Sequence, residues 1–277
     1  MQELSLLHTV LIAVVEGLTE FLPVSSTGHM IILQSLLGIE STAFVKAFTI
    51  IIQFGAILSV VFLYRKRFFH VQRVCPSAEP SFLRRLSMRY DFYIKLLWGF
   101  FPAAVVGLLF SDKIDELLES VDVVAAMLLL GGIFMLFIDQ IFKQGRPISG
   151  LTHRKAFHIG MFQCIAMIPG VSRYMATIVG GITQHLSRKE AAEFSFFLAV
   201  PTMLAATGYK VLQLYLEEGT AVFLTNAGTL LLGNLVAFAV AVAAIKFFIQ
   251  YVTRHGFTAF GWYRIWVGFF ILLLHHL

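Results

Sequence analysis

Charge is what this sequence has least of. Lys, Arg, Asp and Glu make up 13% of its 277 residues, where a soluble domain carries about 25%. Too few ionic groups remain to cover a water-facing surface, so a soluble globular domain is excluded. Cysteine is nearly absent. Cys75 stands in a basic stretch and Cys164 in an apolar one, so the two read as free thiols and not as a bridge or a metal site. Residues 1–7 lack the basic start and small-residue cleavage site of a secretory signal. The first apolar stretch also carries Glu16 and Glu20, and it is expected to belong to the mature fold. No nucleotide-binding motif of soluble enzymes occurs.

What the chain has in excess is apolar length. Hydrophobic residues make up 58% of it and the mean hydropathy is +0.82. Apolar runs near 20 residues recur throughout, which marks membrane-spanning helices. The formal charge of +5 sits in segments between those runs. It therefore reads as the positive-inside bias of a membrane protein, with no nucleic-acid partner.

The expected fold is an all-α polytopic membrane protein. It has about six transmembrane helices, near 45–64, 93–110, 121–142, 193–214, 225–250 and 258–276, plus two re-entrant helical hairpins. The hairpins are expected at about 5–39 and 156–186. Each is apolar but interrupted, the first by Pro23-Val24-Ser25-Ser26-Thr27-Gly28-His29 and the second by Pro169-Gly170-Val171-Ser172-Arg173. Each half is too short for a hydrocarbon core of roughly 30 Å. A polar turn at that depth is tolerated only inside protein or beside a wet cavity. Arg65, Lys66, Arg67, Arg73, Arg84, Arg85 and Arg89 place one loop in the cytoplasm. Lys143, Arg146, Arg154 and Lys155, then Arg188 with Lys189, then Arg254, place three more there. The segments with Asp112, Asp115, Glu116 and Glu119, and with Glu217 and Glu218, then face outside, as do both termini. The first hairpin dips in from outside and the second from the cytoplasm.

That opposition predicts an internal repeat within a single membrane domain, 1–277. Displacing the numbering by 147 lays Ser25 on Ser172, Ser26 on Arg173, Glu16 on Gln163 and Lys46 on Glu193. Residues 1–142 and 152–277 each read as one hairpin plus three spans. An odd number of spans gives the halves inverted topology, with paired broken helices framing a site near the midplane.

The chemistry concentrates at the two breaks. Glu16 and Glu20 are four residues apart and share a helix face. A charged side chain at the bilayer centre costs about 2.5–3.5 kcal/mol on insertion scales. The pair therefore needs a divalent cation, a shared proton or an arginine, unless it merely stays wet at a mouth. Ser25, Ser26 and Thr27 offer hydroxyls, and amides at the start of the next helix can bind an anion, though serine and threonine also cap helices routinely. Gly28 lets backbone come close, and His29 is a natural acid or base near neutral pH. Gly170, Ser172, Arg173 and Thr177 form the second cluster. The planar fork of Arg173 suits phosphate or carboxylate. Its plain alternative is an ion pair with Glu16 or Glu20, which a substrate could replace. The remaining histidines, among them His153, His185, His275 and His276, lack polar company and read as interfacial.

These motifs resemble the undecaprenyl-diphosphate phosphatase family, also called bacitracin-resistance proteins. The run from Val15 to His29 carries the resemblance, with Pro169 to Arg173, Glu193-Phe194-Ser195-Phe196 and Ala199-Val200-Pro201. It covers essentially the full length. The resemblance implies hydrolysis of undecaprenyl diphosphate to the monophosphate, recycling the lipid carrier of cell-wall sugars. It also implies a divalent cation, Mg²⁺ or Ca²⁺, on Glu16 and Glu20. The implied location is the bacterial inner membrane, with the site open to its outer side. Matched by position, the family's catalytic groups fall on Glu16, Glu20, Ser26, His29 and Arg173. Ser25, Thr27, Gly28, Gly170, Ser172 and Thr177 join Arg173 in substrate binding. Partners are the polyprenyl diphosphate and membrane lipids, and a homodimer is compatible with all of this. One departure stands out. The family often continues Ser-Arg-Ser-Gly-Ala-Thr, but here Tyr174 and Met175 follow Arg173, which implies a different pocket wall.

In the expected mechanism Ser26 attacks the terminal phosphorus, His29 assists proton transfer, and Arg173 with hairpin amides holds the phosphates. Direct attack by water is the alternative. Phosphatidic-acid phosphatases of type 2 share Ser-Gly-His and Ser-Arg motifs, but the histidine they place six residues after the arginine is Val179 here. A transporter or flippase of the lipid carrier is the rival of another class, since broken helices in inverted repeats are common there. A mere scaffold leaves the buried glutamates and Arg173 unexplained.

Overall fold

The computed structural model describes residues 4–40, 42–69, 88–118, 120–141 and 150–276. Of the residues used above, Arg73, Cys75, Arg84, Arg85, Glu119, Lys143 and Arg146 lie outside the described residues, as do the side chains of Asp112 and Asp115. The described elements are helices. They are α1 (Leu6–Thr19), α2 (Ser26–Leu37), α3 (Ala43–Leu63), α4 (Arg65–Phe69), α5 (Asp91–Leu109), α6 (Ser111–Leu118), α7 (Val121–Ile141), α8 (His153–Ile165), α9 (Arg173–Thr183), α10 (Arg188–Glu218), α11 (Ala221–Thr225), α12 (Ala227–His255) and α13 (Thr258–His276). Six of these, α3, α5, α7, α10, α12 and α13, are long and apolar enough to cross a membrane. The chain is a multi-pass membrane protein.

Local chemistry explains the helix starts. Ser5, Thr42, Thr152 and Ser172 each accept a hydrogen bond from a backbone amide in the first turn of α1, α3, α8 and α9, which satisfies donors the helix itself leaves open. Ser187 and Glu190 form a reciprocal capping box on α10. That cap starts the fourth span at Arg188 instead of 193, so Arg188 and Lys189 form its first turn and not a loop. Arg188 also pairs with Asp139 at the end of α7.

The two pairs of short helices stand where the breaks predict them, with different limits. The first break covers residues 20–25, and α2 already begins at Ser26. Thr27, Gly28 and His29 are therefore helical, not part of the turn. At about 1.5 Å per residue, α1, α2, α8 and α9 all fall short of a 30 Å core. Each pair is followed along the chain by three long helices.

Packing holds the short helices in place. Helix α12 lies across α1 and α3, α13 runs along α7 and touches α2, and α9 sits between α8 and α10. The turns of the two pairs meet on an aromatic cluster. Phe21 lies 5.3 Å from Tyr174 and 5.5 Å from Phe196 between ring centroids, and Tyr174 lies 5.4 Å from Phe196. Such pairs contribute about 0.5–1.5 kcal/mol each beyond their buried area. Outside, Trp98, Phe101, Leu108, Phe137, Trp266 and Leu273 are exposed. A surface of this kind is an aggregation hazard in water, and lipid is its ordinary solvent.

Candidate functional site

Where the aromatic cluster joins the turns, the polar residues of both breaks converge. Glu16 and Glu20 are 1% and 6% exposed. The Ser26 hydroxyl donates to Glu20 Oε2 at 2.7 Å. Arg173, the first residue of α9, brings Nη2 to 3.5 Å from Glu20 Oε1. One carboxylate thus links the two breaks, and the ion pair expected for Arg173 is formed. Glu16 lies beside Glu20, Gln53 of α3 and Arg173. Two buried atoms here have no hydrogen-bond partner among the described residues, Glu16 Oε1 and Arg173 Nη1. An unmet carboxyl oxygen and an unmet guanidinium nitrogen at one place are costly in a protein interior.

A cavity of about 860 Å³ reaches this centre. Glu16, Ser26 and Gln53 line it with Thr27 and Met30 of α2, and Lys46 of α3 and Lys210, Gln213 and Glu217 of α10 line it further along. Nothing in its lining comes from Tyr174 or Met175. Both are buried, and Tyr174 donates its hydroxyl to Met203 sulfur at 3.9 Å. The altered pocket wall expected from these two residues is therefore not found: their bulk fills the core behind the turn.

The remaining predicted residues make the following contacts. Ser25 has φ of 67°, a left-handed conformation that costs a non-glycine residue about 1–3 kcal/mol. His29 Nδ1 bonds the Ser25 carbonyl at 2.7 Å, and its Nε2 meets the Tyr263 hydroxyl at 2.8 Å. A carbonyl only accepts, so Nδ1 carries the proton and, in the neutral ring, Nε2 accepts from tyrosine. His29 faces α13 and is not among the cavity-lining residues. Gly28 is buried where a Cβ would meet Leu128 Cδ1 at 2.7 Å, so its missing side chain serves packing on α7. Ser172 caps α9, and Thr177 donates to the Arg173 carbonyl at 2.9 Å. By contrast, α2 has no side-chain cap, which leaves its first amides available to an anion beside Ser26.

Two histidines read as solitary have carboxylate partners: His153 Nε2 is 3.0 Å from Asp91 Oδ1, and His276 Nε2 is 3.1 Å from Asp122 Oδ1. Arg264 was missed altogether. It lies in the sixth span with its guanidinium on carbonyls of both turns. An arginine seven residues into an apolar helix was the available signal.

Could these residues hold a divalent cation? Among the described residues no group of three or more His, Cys, Asp or Glu is placed for a metal. Glu16, Glu20 and the Gln53 amide do offer hard oxygens, and Glu16 Oε1 is buried without a partner. Mg²⁺ commonly takes one or two carboxylates, with waters and substrate phosphates completing its shell. The donor set fits a cation bound together with a phosphorylated substrate.

The sequence profile of the family "Bacitracin resistance protein BacA" matches residues 9–270. An undecaprenyl-diphosphatase of Porphyromonas gingivalis strain W83 is 56% identical over 277 residues, covering 98% of this chain and 97% of the relative. One of Flavobacterium psychrophilum is 52% identical, covering 97% and 95%. One of Bdellovibrio bacteriovorus is 48% identical, covering 98% and 96%.

Proposed function

The chain belongs to the bacitracin resistance protein BacA family, and from that premise we propose that its two broken helices form the active site of an undecaprenyl-diphosphatase. The protein hydrolyses undecaprenyl diphosphate to undecaprenyl phosphate and inorganic phosphate, recycling the carrier for cell-wall sugars and conferring bacitracin resistance. The observation that carries the site is the pair of unmet buried atoms. Arg173 Nη1 and Glu16 Oε1 flank the Ser26–Glu20 hydrogen bond. A phosphoryl group would satisfy the first, and a cation bound with it would satisfy the second. Relatives named for hydrolysis lend the transport reading no support.

The geometry supports this sequence of events. Arg173 and the uncapped start of α2 bind the terminal phosphate. Glu20 accepts the Ser26 proton while Oγ attacks phosphorus, and the bridging P–O bond breaks to release undecaprenyl phosphate. Water then cleaves the phosphoserine and frees inorganic phosphate. A cation held by Glu16 and Glu20 with Gln53 would neutralise charge that builds on the phosphoryl oxygens. With both ring nitrogens engaged, His29 holds the strained Ser25 turn and thereby aims Ser26.

Orientation follows from the ends of the helices. Arg65, Lys66 and Arg67 follow α3, Arg154 and Lys155 open α8, Arg188 and Lys189 open α10, and Arg254 closes α12. That end faces the cytoplasm by the positive-inside rule. The cavity residues Lys46, Val121 and Glu217 stand at the opposite ends of α3, α7 and α10. The cavity therefore opens to the outer side of the inner membrane, and the halves 1–142 and 152–277 form an inverted repeat around it.

The test is phosphate release from undecaprenyl diphosphate by purified protein in detergent, with Mg²⁺ or Ca²⁺, with chelator, and with Arg173→Ala. Metal-dependent release lost on substitution is expected. No release by folded wild type under either metal would overturn the assignment.

A further inference from the structure

Among the described residues Arg264 is the largest fully buried side chain, at 0% exposure, and nothing in the proposed chemistry uses it. It lies seven residues into α13, and an arginine at the centre of a membrane span costs about 2.5–3.5 kcal/mol on insertion scales. Among the described residues no carboxylate forms an ion pair with it. Its partners are three backbone carbonyls from three separate segments. Nη1 donates to Pro23 at 3.1 Å, and Nη2 donates to Gly170 at 2.8 Å and to Met127 at 3.1 Å. Gly131 of α7 leaves room for the head, because a Cβ there would run into Nη2.

We infer that Arg264 is a positioning residue of the phosphatase reaction: its guanidinium clamps the two turns at the spacing that lets Ser26, Glu20 and Arg173 meet. The inference rests on the function proposed above. Pro23 precedes Ser26 by three residues, and Gly170 precedes Arg173 by three. One planar group therefore ties together the backbone immediately before the nucleophile and the backbone immediately before the phosphate-binding arginine. Broken helices leave such carbonyls unsatisfied at membrane depth. A point donor could satisfy one or two of them. A rigid fork that also reaches α7 fixes their separation. The contact it protects has little slack, since Arg173 and Glu20 already stand 3.5 Å apart.

The next residue supports the same reading. Tyr263 holds His29, which holds the Ser25 carbonyl. Consecutive residues of α13 thus fix the first turn at Pro23 and at Ser25, and one of them fixes the second turn as well. Helix α13 is the rail on which the two halves of the site are registered.

The experiment compares wild type with Arg264→Lys, Arg264→Gln and Gly131→Ala as full-length protein in detergent. Gly131→Ala keeps the arginine but displaces its head. Phosphate release is titrated with undecaprenyl diphosphate and expressed per folded molecule, with folding followed by gel filtration and thermal melting. A misplacement of about 1 Å can cost on the order of 100-fold in rate. The expected result is a kcat at least about tenfold lower in Arg264→Gln and Gly131→Ala, with partial recovery in Arg264→Lys and KM within about threefold of wild type. A group that only stabilises the fold would lower the melting temperature and leave kcat unchanged. Wild-type kcat in the folded variants overturns the inference. So does failure of both Arg264→Lys and Gly131→Ala to fold, which would make the residue a folding determinant alone. An inactive wild type would defeat the proposed function itself, and it is read before any variant is compared.

Discussion

Replacing Ser26 by alanine removes one oxygen from the cavity wall, and the size of the effect separates two mechanisms. The hydroxyl donates to Glu20 Oε2 at 2.7 Å, and the Glu20 side chain is only 4% exposed. Without the hydroxyl, Oε2 loses the one hydrogen-bond donor seen for it among the described residues. A hydrogen bond to a charged group contributes about 1.5–3 kcal/mol. At about 1.36 kcal/mol per decade, that is a ten- to 150-fold loss if Ser26 only positions groups for an attacking water. If Ser26 Oγ forms the phosphoserine, the loss is on the order of 10⁴-fold or more, as with other serine nucleophiles. The larger figure is expected, with KM little changed because Arg173 and the start of α2 remain. The assay is phosphate release at saturating undecaprenyl diphosphate, with Ser26→Ala and wild type at equal folded concentration. A loss smaller than about 150-fold would refute the covalent route and leave Glu20 activating water.

Arg173→Lys keeps the charge but loses the fork, and kcat/KM for phosphate release should fall about tenfold or more, with Arg173→Ala lower still. Chelation should abolish turnover and Mg²⁺ or Ca²⁺ should restore it. Glu16→Gln should raise the metal concentration needed for half-maximal rate by about tenfold or more, since the ion loses a charged ligand. Gly170→Ala should destabilise the fold by about 2 kcal/mol or more, because φ is 90° and a Cβ there would strike the Val124 carbonyl. Thermal melting in detergent measures that change, and an unaltered midpoint would contradict the geometry of the second turn.

Much of the architecture was legible because lipid imposes a simple code. A span must be apolar for about 20 residues, and an interruption is visible against such a background. The six long helices and both breaks fall where hydropathy places them, although boundaries moved wherever a cap decided them. Ser187 with Glu190 starts α10 five residues early, and α2 takes in Thr27, Gly28 and His29 because the first turn closes before Ser26. Site residue types were legible for the same reason. Glu16, Glu20 and Arg173 stand out as polar groups in apolar surroundings.

Directions and contact partners were not legible. His29 follows Ser26 by three residues and reads as acid or base, yet it faces Tyr263, which is 234 positions away. Tyr174 and Met175 adjoin Arg173 and read as pocket wall, yet they fill the core with Phe21 and Phe196. Arg264 has no motif around it, and its meaning lies in carbonyls from residues 23, 127 and 170.

The sequence by itself determined that this chain lives in a membrane, how many helices can cross, where two further apolar stretches break and which polar residues gather at the breaks. Those properties depend on local composition, and the cost of burying each residue type in hydrocarbon is nearly independent of its distant neighbours. Only the tertiary structure decided that Glu20 serves both Ser26 and Arg173, that Gln53 joins Glu16, that His29 turns away and that one arginine clamps both turns. Each of these is a contact between segments far apart in the chain, set by which helix faces pack together, and the spacing within any single motif does not encode it.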